Sequence, residues 1–332
     1  MLNTTIASIA MVILLAVVFD FINGFHDTAN AIATSVSTRV LSPQAAIFMS
    51  AICNFVGAFV STNVANTIGS GIVNPYQITQ KVIIAALLAA IIWNLATWYF
   101  GLPSSSSHAL IGGLLGAAIV FKVSFSIINW PSFLWIVLLW LFLSPIIGFM
   151  AGFILMTALN WILRSLRPAT VTKIFSKAQI VSAALMALSH GSNDAQKSMG
   201  IITMALLSGG LIAKFSVPLW VITICALAMA MGTSFGGWKI IKTIGVSMAR
   251  LVPVNGFAAE TGAAVVILTA TMLHAPVSTT HIISTSIMGV AASKRFTSVR
   301  WIIARNIVWA WVFTIPTCAL LSGVLFHLIN AI

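Results

Sequence analysis

Charge is what this chain has least of. Of its 332 residues only 4 are acidic, namely Asp20, Asp27, Asp194 and Glu260, and charged residues of both signs make up 6%. Soluble domains carry about a quarter charged residues, and no water-facing surface can be assembled from so few. Cysteine is scarce too: Cys53, Cys225 and Cys318 stand singly in apolar runs. An odd count without CxxC spacing argues against a disulfide framework or a zinc site and for small buried hydrophobes. The opening MLNTTIASIAMVILLA lacks a basic leader region and a clear cleavage site. It reads as a retained first helix rather than a signal peptide.

What the chain has is hydrocarbon. Hydrophobic residues make up 60%, and mean hydropathy is +1.10. Residues 6–19, 82–96, 133–159, 216–231 and 263–273 carry no charge. Several of these runs are long enough for helices crossing a ~30 Å hydrocarbon core at ~20 residues each. The expectation is an all-α polytopic membrane protein, solvated by the lipid bilayer, with roughly 10–12 membrane segments. The net charge of +12 does not indicate nucleic acid. Arg164, Arg167, Lys173 and Lys177 share one polar connection, Lys239, Lys242 and Arg250 a second, and Lys294, Arg295, Arg300 and Arg305 a third. Basic clusters beside apolar spans are the pattern of cytoplasmic loops, and no basic face interleaved with aromatics is present.

The chain says nearly the same thing twice. Gly24-Phe25-His26-Asp27-Thr28-Ala29-Asn30 aligns with Gly191-Ser192-Asn193-Asp194-Ala195-Gln196-Lys197. Leu102-Pro103-Ser104-Ser105-Ser106-Ser107-His108 aligns with Ala275-Pro276-Val277-Ser278-Thr279-Thr280-His281. Asp27 precedes His108 by 81 positions and Asp194 precedes His281 by 87, so the two motifs recur in order at similar spacing. The expected halves are residues 1–157 and 179–332, joined by a basic cytoplasmic connection over 158–178. Internal repeats of this kind mark secondary transporters, where broken helices from both halves meet around one site near the bilayer midplane.

Four breaks are expected, at Asn23-Gly24, Gly191-Ser192, Pro103 and Pro276. Non-helical backbone at membrane depth survives only inside protein or along a cavity, so the breaks point to one shared polar cavity. A proline followed by hydroxyls reads as a helix start, whose free N–H groups and positive dipole end suit an oxyanion. Ser104, Ser105, Ser106 and Ser107, with Ser278, Thr279 and Thr280, would add hydroxyl donors without a full charge. For a single such run helix capping and small-residue packing are the better explanation; the paired occurrence reverses that preference.

Ionisable residues inside membrane segments are expensive and point to function. Asp27 and Asp194 occupy equivalent places. They would repel an anion unless cations intervene, which implies Na⁺ held by oxygen ligands (Asp27, Asn30, Asp194) or an uptake of protons. Asn23, Asn30 and Asn193 offer neutral amide oxygens, and capping of a half-helix is the alternative for each aspartate. Lys197 stands where the first repeat has Asn30. It neutralises Asp194 or attracts an anion, unless it snorkels to an interface. Glu260 is a proton site or a buried structural hydrogen-bonding group. His108 and His281 are substrate ligands, proton carriers or braces of the hydroxyl motifs. His190 and Asp194 have i, i+4 spacing, a weak two-ligand metal pattern. His274, His327 and Asp20 have no counterpart in the other half. Asp20 would brace the break or pair with a basic group.

The four motifs resemble those of the inorganic phosphate transporter (PiT) family, whose signatures have the forms GANDxAN and GLPxSxTH. Here they stand as GFHDTAN with GLPSSSSH and GSNDAQK with APVSTTH, and the resemblance covers almost the whole chain. It implies inverted repeats, re-entrant hairpins at the proline motifs, a homodimer, and symport of phosphate with Na⁺ or H⁺ by alternating access. It implies the cytoplasmic membrane of a bacterium as location, no enzymatic activity and no cofactor beyond the coupling ion. Asp27, Asn30, Asn193, Asp194 and both hydroxyl runs match family binding positions. His26 and Lys197 replace the signature's asparagines, which favours protons over a symmetrical pair of sodium sites. Similar bacterial members are proton-coupled, some carrying neutral metal–phosphate complexes, and close relatives move sulfate. Three rivals are a sulfate permease, a channel and an intramembrane Ser/His hydrolase, the last disfavoured because Ser107 and His108 are chain neighbours.

Overall fold

A computed structural model describes residues 2–331, with side chains except at residues 2–4, 28, 136, 141, 238, 246 and 247. It is helical throughout, with a single isolated bridge between Val73 and Ile128. The first half holds α1 (Leu2–Ser37), α2 (Pro43–Gly57), the short α3 (Asn63–Asn66), α4 (Gln80–Phe100), α5 (Ser106–Lys122), the short α6 (Trp130–Ser132) and α7 (Leu139–Ile162). The second half holds α8 (Pro168–Ser208), α9 (Leu219–Phe235), α10 (Trp238–Lys242), α11 (Pro253–Met272), α12 (Thr279–Ala292) and α13 (Trp301–Ala331).

Six of these helices are long and apolar enough to cross a membrane, and α9 with the segment after it, bent by 68°, makes a seventh. That is fewer than the ten to twelve segments expected from hydropathy. Two further apolar helices, α2 and α5, are shorter. Large apolar side chains such as Phe48, Trp135, Leu219 and Leu320 are exposed on the outside, as lipid solvation requires. The connection between α7 and α8 is only residues 163–167, so Lys173 and Lys177 ride on the first turns of α8.

Both proline motifs break the helix, and by the same device. Gly101 ends α4 at φ +67°, and His274 follows α11 at φ +62°. Proline comes two residues later, and then a serine cap. Ser105 Oγ accepts the His108 N–H at 3.3 Å, and Ser278 Oγ accepts the His281 N–H at 3.2 Å. Each cap satisfies one of the free donors of the helix start. Thus α4–α5 and α11–α12 are hairpins; α13 covers the first and α7 the second.

The breaks expected at Asn23-Gly24 and Gly191-Ser192 are absent: α1 and α8 run unbroken through both. The glycines serve close packing instead. A Cβ on Gly24 would lie 2.3 Å from Met229 O, and one on Gly191 2.3 Å from Asn54 O, the contact of small residues at membrane helix crossings. Helical hydrogen bonds continue because nothing in either sequence removes a donor.

Helices α1 and α8 lie antiparallel along one register. Thr38 Oγ1 donates to Gln179 Oε1 at 2.8 Å, Asn23 Nδ2 to Asp194 Oδ2 at 3.4 Å, and Ser198 Oγ to Asp20 Oδ1 at 2.6 Å. On α1, Asp20, Asn23, Asp27, Asn30 and Thr34 follow a 3-4 spacing that places them on one face; all five are buried. This polar file passes between two apolar clusters. One contains Phe19, Leu87 and Leu110, the other Ile32, Ile267 and Ile283.

Candidate functional site

The middle of the polar file is where both hairpins arrive. The amino ends of α5 and α12 put their first hydroxyls on the two aspartates. Ser106 Oγ donates to Asp27 Oδ2 at 3.1 Å, and Thr280 Oγ1 to Asp27 Oδ1 at 3.3 Å. Thr279 Oγ1 reaches Asp194 Oδ2 at 3.5 Å. Asn30 Nδ2 donates to Thr280 Oγ1 at 2.8 Å and reaches Thr279 Oγ1 at 3.5 Å. The tips also hold each other, with Ser107 Oγ donating to Val277 O at 3.0 Å and the rings of His108 and His281 4.9 Å apart. Carboxylates at two helix amino ends are favoured by the dipoles and free N–H groups there. An anionic substrate would be favoured there for the same reason.

The remaining hydroxyls serve the frame. Ser105 and Ser278 are the caps already described. Ser104 Oγ donates to Thr97 Oγ1 at 2.9 Å. His26 Nδ1 donates to Asp27 Oδ1 at 2.7 Å, while its Nε2 lies 3.1 Å from Thr97 Oγ1. Its counterpart Asn193 does similar work in the other half, donating to Thr271 Oγ1 at 2.8 Å. Each ties its own aspartate helix to the first helix of a hairpin. His281 stacks on Trp311, with centroids 3.8 Å apart. Trp311 Nε1 donates to Pro103 O at 3.1 Å, so α13 fastens one hairpin to the other.

Lys197 does not snorkel. It is fully buried, and its Nζ lies 2.8 Å from Asp194 Oδ1. Asp194 thus has an ammonium beside it, where Asp27 has the imidazole of His26 at 2.7 Å. The amide oxygens of Asn23, Asn30 and Asn193 are buried with no hydrogen-bond partner, leaving three neutral oxygen donors free at this level. Glu260 stands apart, at the Thr34 end of the file. It accepts hydrogen bonds from Thr34 and Ser182, and from Gln179 Nε2 at 3.1 Å.

His190 is the residue that sequence reasoning undervalued. Its Nδ1 donates to Asn54 Oδ1 at 3.0 Å, and its Nε2, unpartnered, faces Asp194 Oδ2 at 3.7 Å. Asp27, His190 and Asp194 bring ligand atoms within 4.8 Å of one another. The i, i+4 spacing was the available signal; Asp27 of the other half supplies the third group. A further duplication also lay unread. Trp130 Nε1 donates to Phe125 O at 3.1 Å and Trp301 Nε1 to Phe296 O at 2.9 Å. The signal for it is the pair FSIINW and FTSVRW.

No serine hydroxyl among the described residues bonds to a histidine ring; Ser107 is committed to Val277 O. A Ser/His nucleophile is therefore not assembled. Paired hairpins meeting two unbroken helices at a buried, charge-bearing centre are the architecture of a membrane transporter. The chain matches the Phosphate transporter family over residues 23–322 and belongs to that family, whose members are transporters rather than enzymes. It is 51% identical to a probable low-affinity inorganic phosphate transporter of Bacillus subtilis, over 97% of both chains. A protein of the same description from Rhizobium meliloti is 49% identical, again over 97% of each. Among solved structures, a sodium-dependent phosphate transporter has the same fold, with a TM-score of 0.88 at 23% identity over 98% of this chain and 100% of that one.

Proposed function

We propose that this protein imports inorganic phosphate across the cytoplasmic membrane by cation symport, with H⁺ as the coupling ion, through alternating access. The observation that carries the reading is the charge balance of the interior. All 4 acidic residues of the chain are buried, and Lys197 is the one buried lysine or arginine among the described residues. Four carboxylates share one ammonium, so in their ionised forms they outnumber it before any anion enters. Isolated buried charges of this kind cost several kcal/mol each, so an oxyanion at the same centre requires accompanying positive charge.

The substrate would lie between the α5 and α12 amino ends. Asp27, Asn30, Asn193, Asp194 and Lys197 would surround it, with Ser104, Ser105, Ser106, Ser107, Ser278, Thr279 and Thr280 donating or holding the donors in place. Asp27, Asp194, Glu260, His108 and His281 are titratable groups near the centre through which a coupling proton would pass. The antiparallel register of α1 and α8 supports an inverted relation between residues 1–157 and 179–332, and with it a rocking exchange of access around a fixed site. A homodimer and a metal–phosphate cargo are compatible additions that rest on the family alone.

Sodium coupling has one specific observation in its favour. The three free amide oxygens beside two carboxylates are the hard, neutral-plus-anionic donors that Na⁺ takes. Radiolabelled phosphate uptake into proteoliposomes under separately imposed pH and sodium gradients decides the matter. Accumulation driven by ΔpH in sodium-free medium is expected, and dependence on Na⁺ alone overturns proton coupling. Strong sulfate competition with poor phosphate uptake would overturn the substrate.

A further inference from the structure

Asp20 lies outside the duplicated site. It is seven residues before Asp27 on the same face of α1, roughly 10 Å along the helix. It is fully buried, and its repeat position in α8 is Ala187, so nothing about the substrate motif explains it. Its polar surroundings are sparse. Ser198 Oγ donates to Oδ1 at 2.6 Å, the Cys225 thiol of α9 lies beside it, and Oδ2 has no well-formed hydrogen bond. Glu260, by contrast, has donors on both oxygens. A carboxylate with one hydroxyl and one weak thiol donor in an apolar core is poorly compensated as an anion.

The charged groups that act on Asp20 come from α8, namely Lys197 and Asp194; along α1 the next titratable groups are His26 and Asp27. Ser198, its hydrogen-bond donor, directly follows Lys197 in the chain, and Lys197 holds Asp194 at 2.8 Å. Charge at Asp20 therefore competes for the ammonium that balances the substrate centre, with little solvent to screen it.

We propose that Asp20 binds the proton that is carried with phosphate, and that its loading frees Lys197 to balance the substrate centre. Unprotonated, Asp20 draws on the field of Lys197 and leaves Asp194 under-compensated. Protonated, it leaves the ammonium to Asp194 and the entering anion. The proton that arrives with phosphate on one side leaves from Asp20 on the other. This assignment rests on the proton-coupled reading above.

The test uses full-length protein in sodium-free proteoliposomes, with phosphate counterflow, ΔpH-driven accumulation and intravesicular pH all measured. Asp20→Asn is expected to keep counterflow within about threefold while losing more than ~90% of accumulation and of phosphate-induced acidification, and Asp20→Glu is expected to restore both. Ser198→Ala, a milder change, removes a donor to the ionised form, and should move the midpoint of the pH profile upward by about one unit with counterflow intact. An Asp20→Asn protein that still accumulates phosphate on ΔpH, or a Ser198→Ala profile that overlays that of the wild type, overturns the assignment. Absence of phosphate-linked acidification in the wild type overturns the proton-coupled reading itself, a separate outcome.

Discussion

Lys197 and Asp194 form an ion pair of 2.8 Å one helical turn apart, and neither is exposed. The first half has no such pair, since Asn30 occupies the place of Lys197 and donates to Thr280 instead. One aspartate at the centre has an ammonium beside it, the other hydroxyl donors and the His26 ring. The two halves of the chain have therefore taken unequal electrostatic shares of one site.

Replacing the ammonium tests that division. Lys197→Asn leaves Asp194 a buried carboxylate without a fixed counter-ion, a situation that costs about 3–5 kcal/mol when one partner of a buried pair is removed. Initial phosphate uptake at neutral pH in sodium-free proteoliposomes should fall more than tenfold, and added Na⁺ should restore part of it by supplying the missing charge. Kinetics equal to the wild type with and without Na⁺ would make Lys197 a bystander.

Asp27 should be indispensable to transport and dispensable to the fold. Its oxygens accept from His26, Ser106 and Thr280, and the buried anion's desolvation cost offsets most of what those bonds contribute to the fold. Asp27→Asn keeps the volume and one acceptor. Uptake should drop more than tenfold, while size-exclusion behaviour and melting temperature in detergent stay near those of the wild type. A folded Asp27→Asn protein with undiminished uptake would remove Asp27 from the mechanism.

The membrane class, the helical fold and both hairpins were legible because each leaves a local trace. Apolar runs, Pro103 and Pro276 before serine caps, and the duplicated aspartate motifs are all readable within a few residues. The false breaks at Gly24 and Gly191 show where local reading fails. A glycine that opens a helix and one that admits a neighbouring backbone look alike until the neighbour is known. His190 illustrates the same limit, because its third companion Asp27 is far away in sequence. Lys197 as counter-ion rather than snorkelling side chain was a choice only packing could make. The 3-4 polar face of α1 was present in the sequence, but the expected break at Asn23-Gly24 obscured it.

The hydroxyls divide into those that face the centre and those that hold the hairpins, and kinetics should separate them. Ser106 and Thr280 both donate to Asp27 and stand where an oxyanion would dock. Ser106→Ala and Thr280→Val are each expected to raise the KM for phosphate several-fold, as loss of one hydrogen bond of about 1 kcal/mol implies. The double variant should depart from additivity, because both act on one carboxylate. Ser105→Ala removes a helix cap instead, so it should lower thermal stability by about 1 kcal/mol. A KM change confined to Ser105→Ala would reverse the assignment.

Helix α8 crosses α2 at Gly191, where an added Cβ would meet Asn54 O at 2.3 Å and Asn54 Cα at 2.6 Å. Backbone atoms cannot move aside as a side-chain tip can, so the helices must separate. Asn54 also holds His190 Nδ1, and His190 faces Asp194, so separation displaces a group of the central site. Gly191→Val should therefore cost about 3 kcal/mol, the upper end of forced overpacking, and should abolish uptake. Gly71→Ala is the matched control, since its Cβ would meet only Thr67 Cγ2 at 3.7 Å, ordinary contact. Melting temperature in detergent and phosphate uptake, measured on both variants, separate the cases. A Gly191→Val protein as stable and active as Gly71→Ala would mean that α8 does break at this glycine.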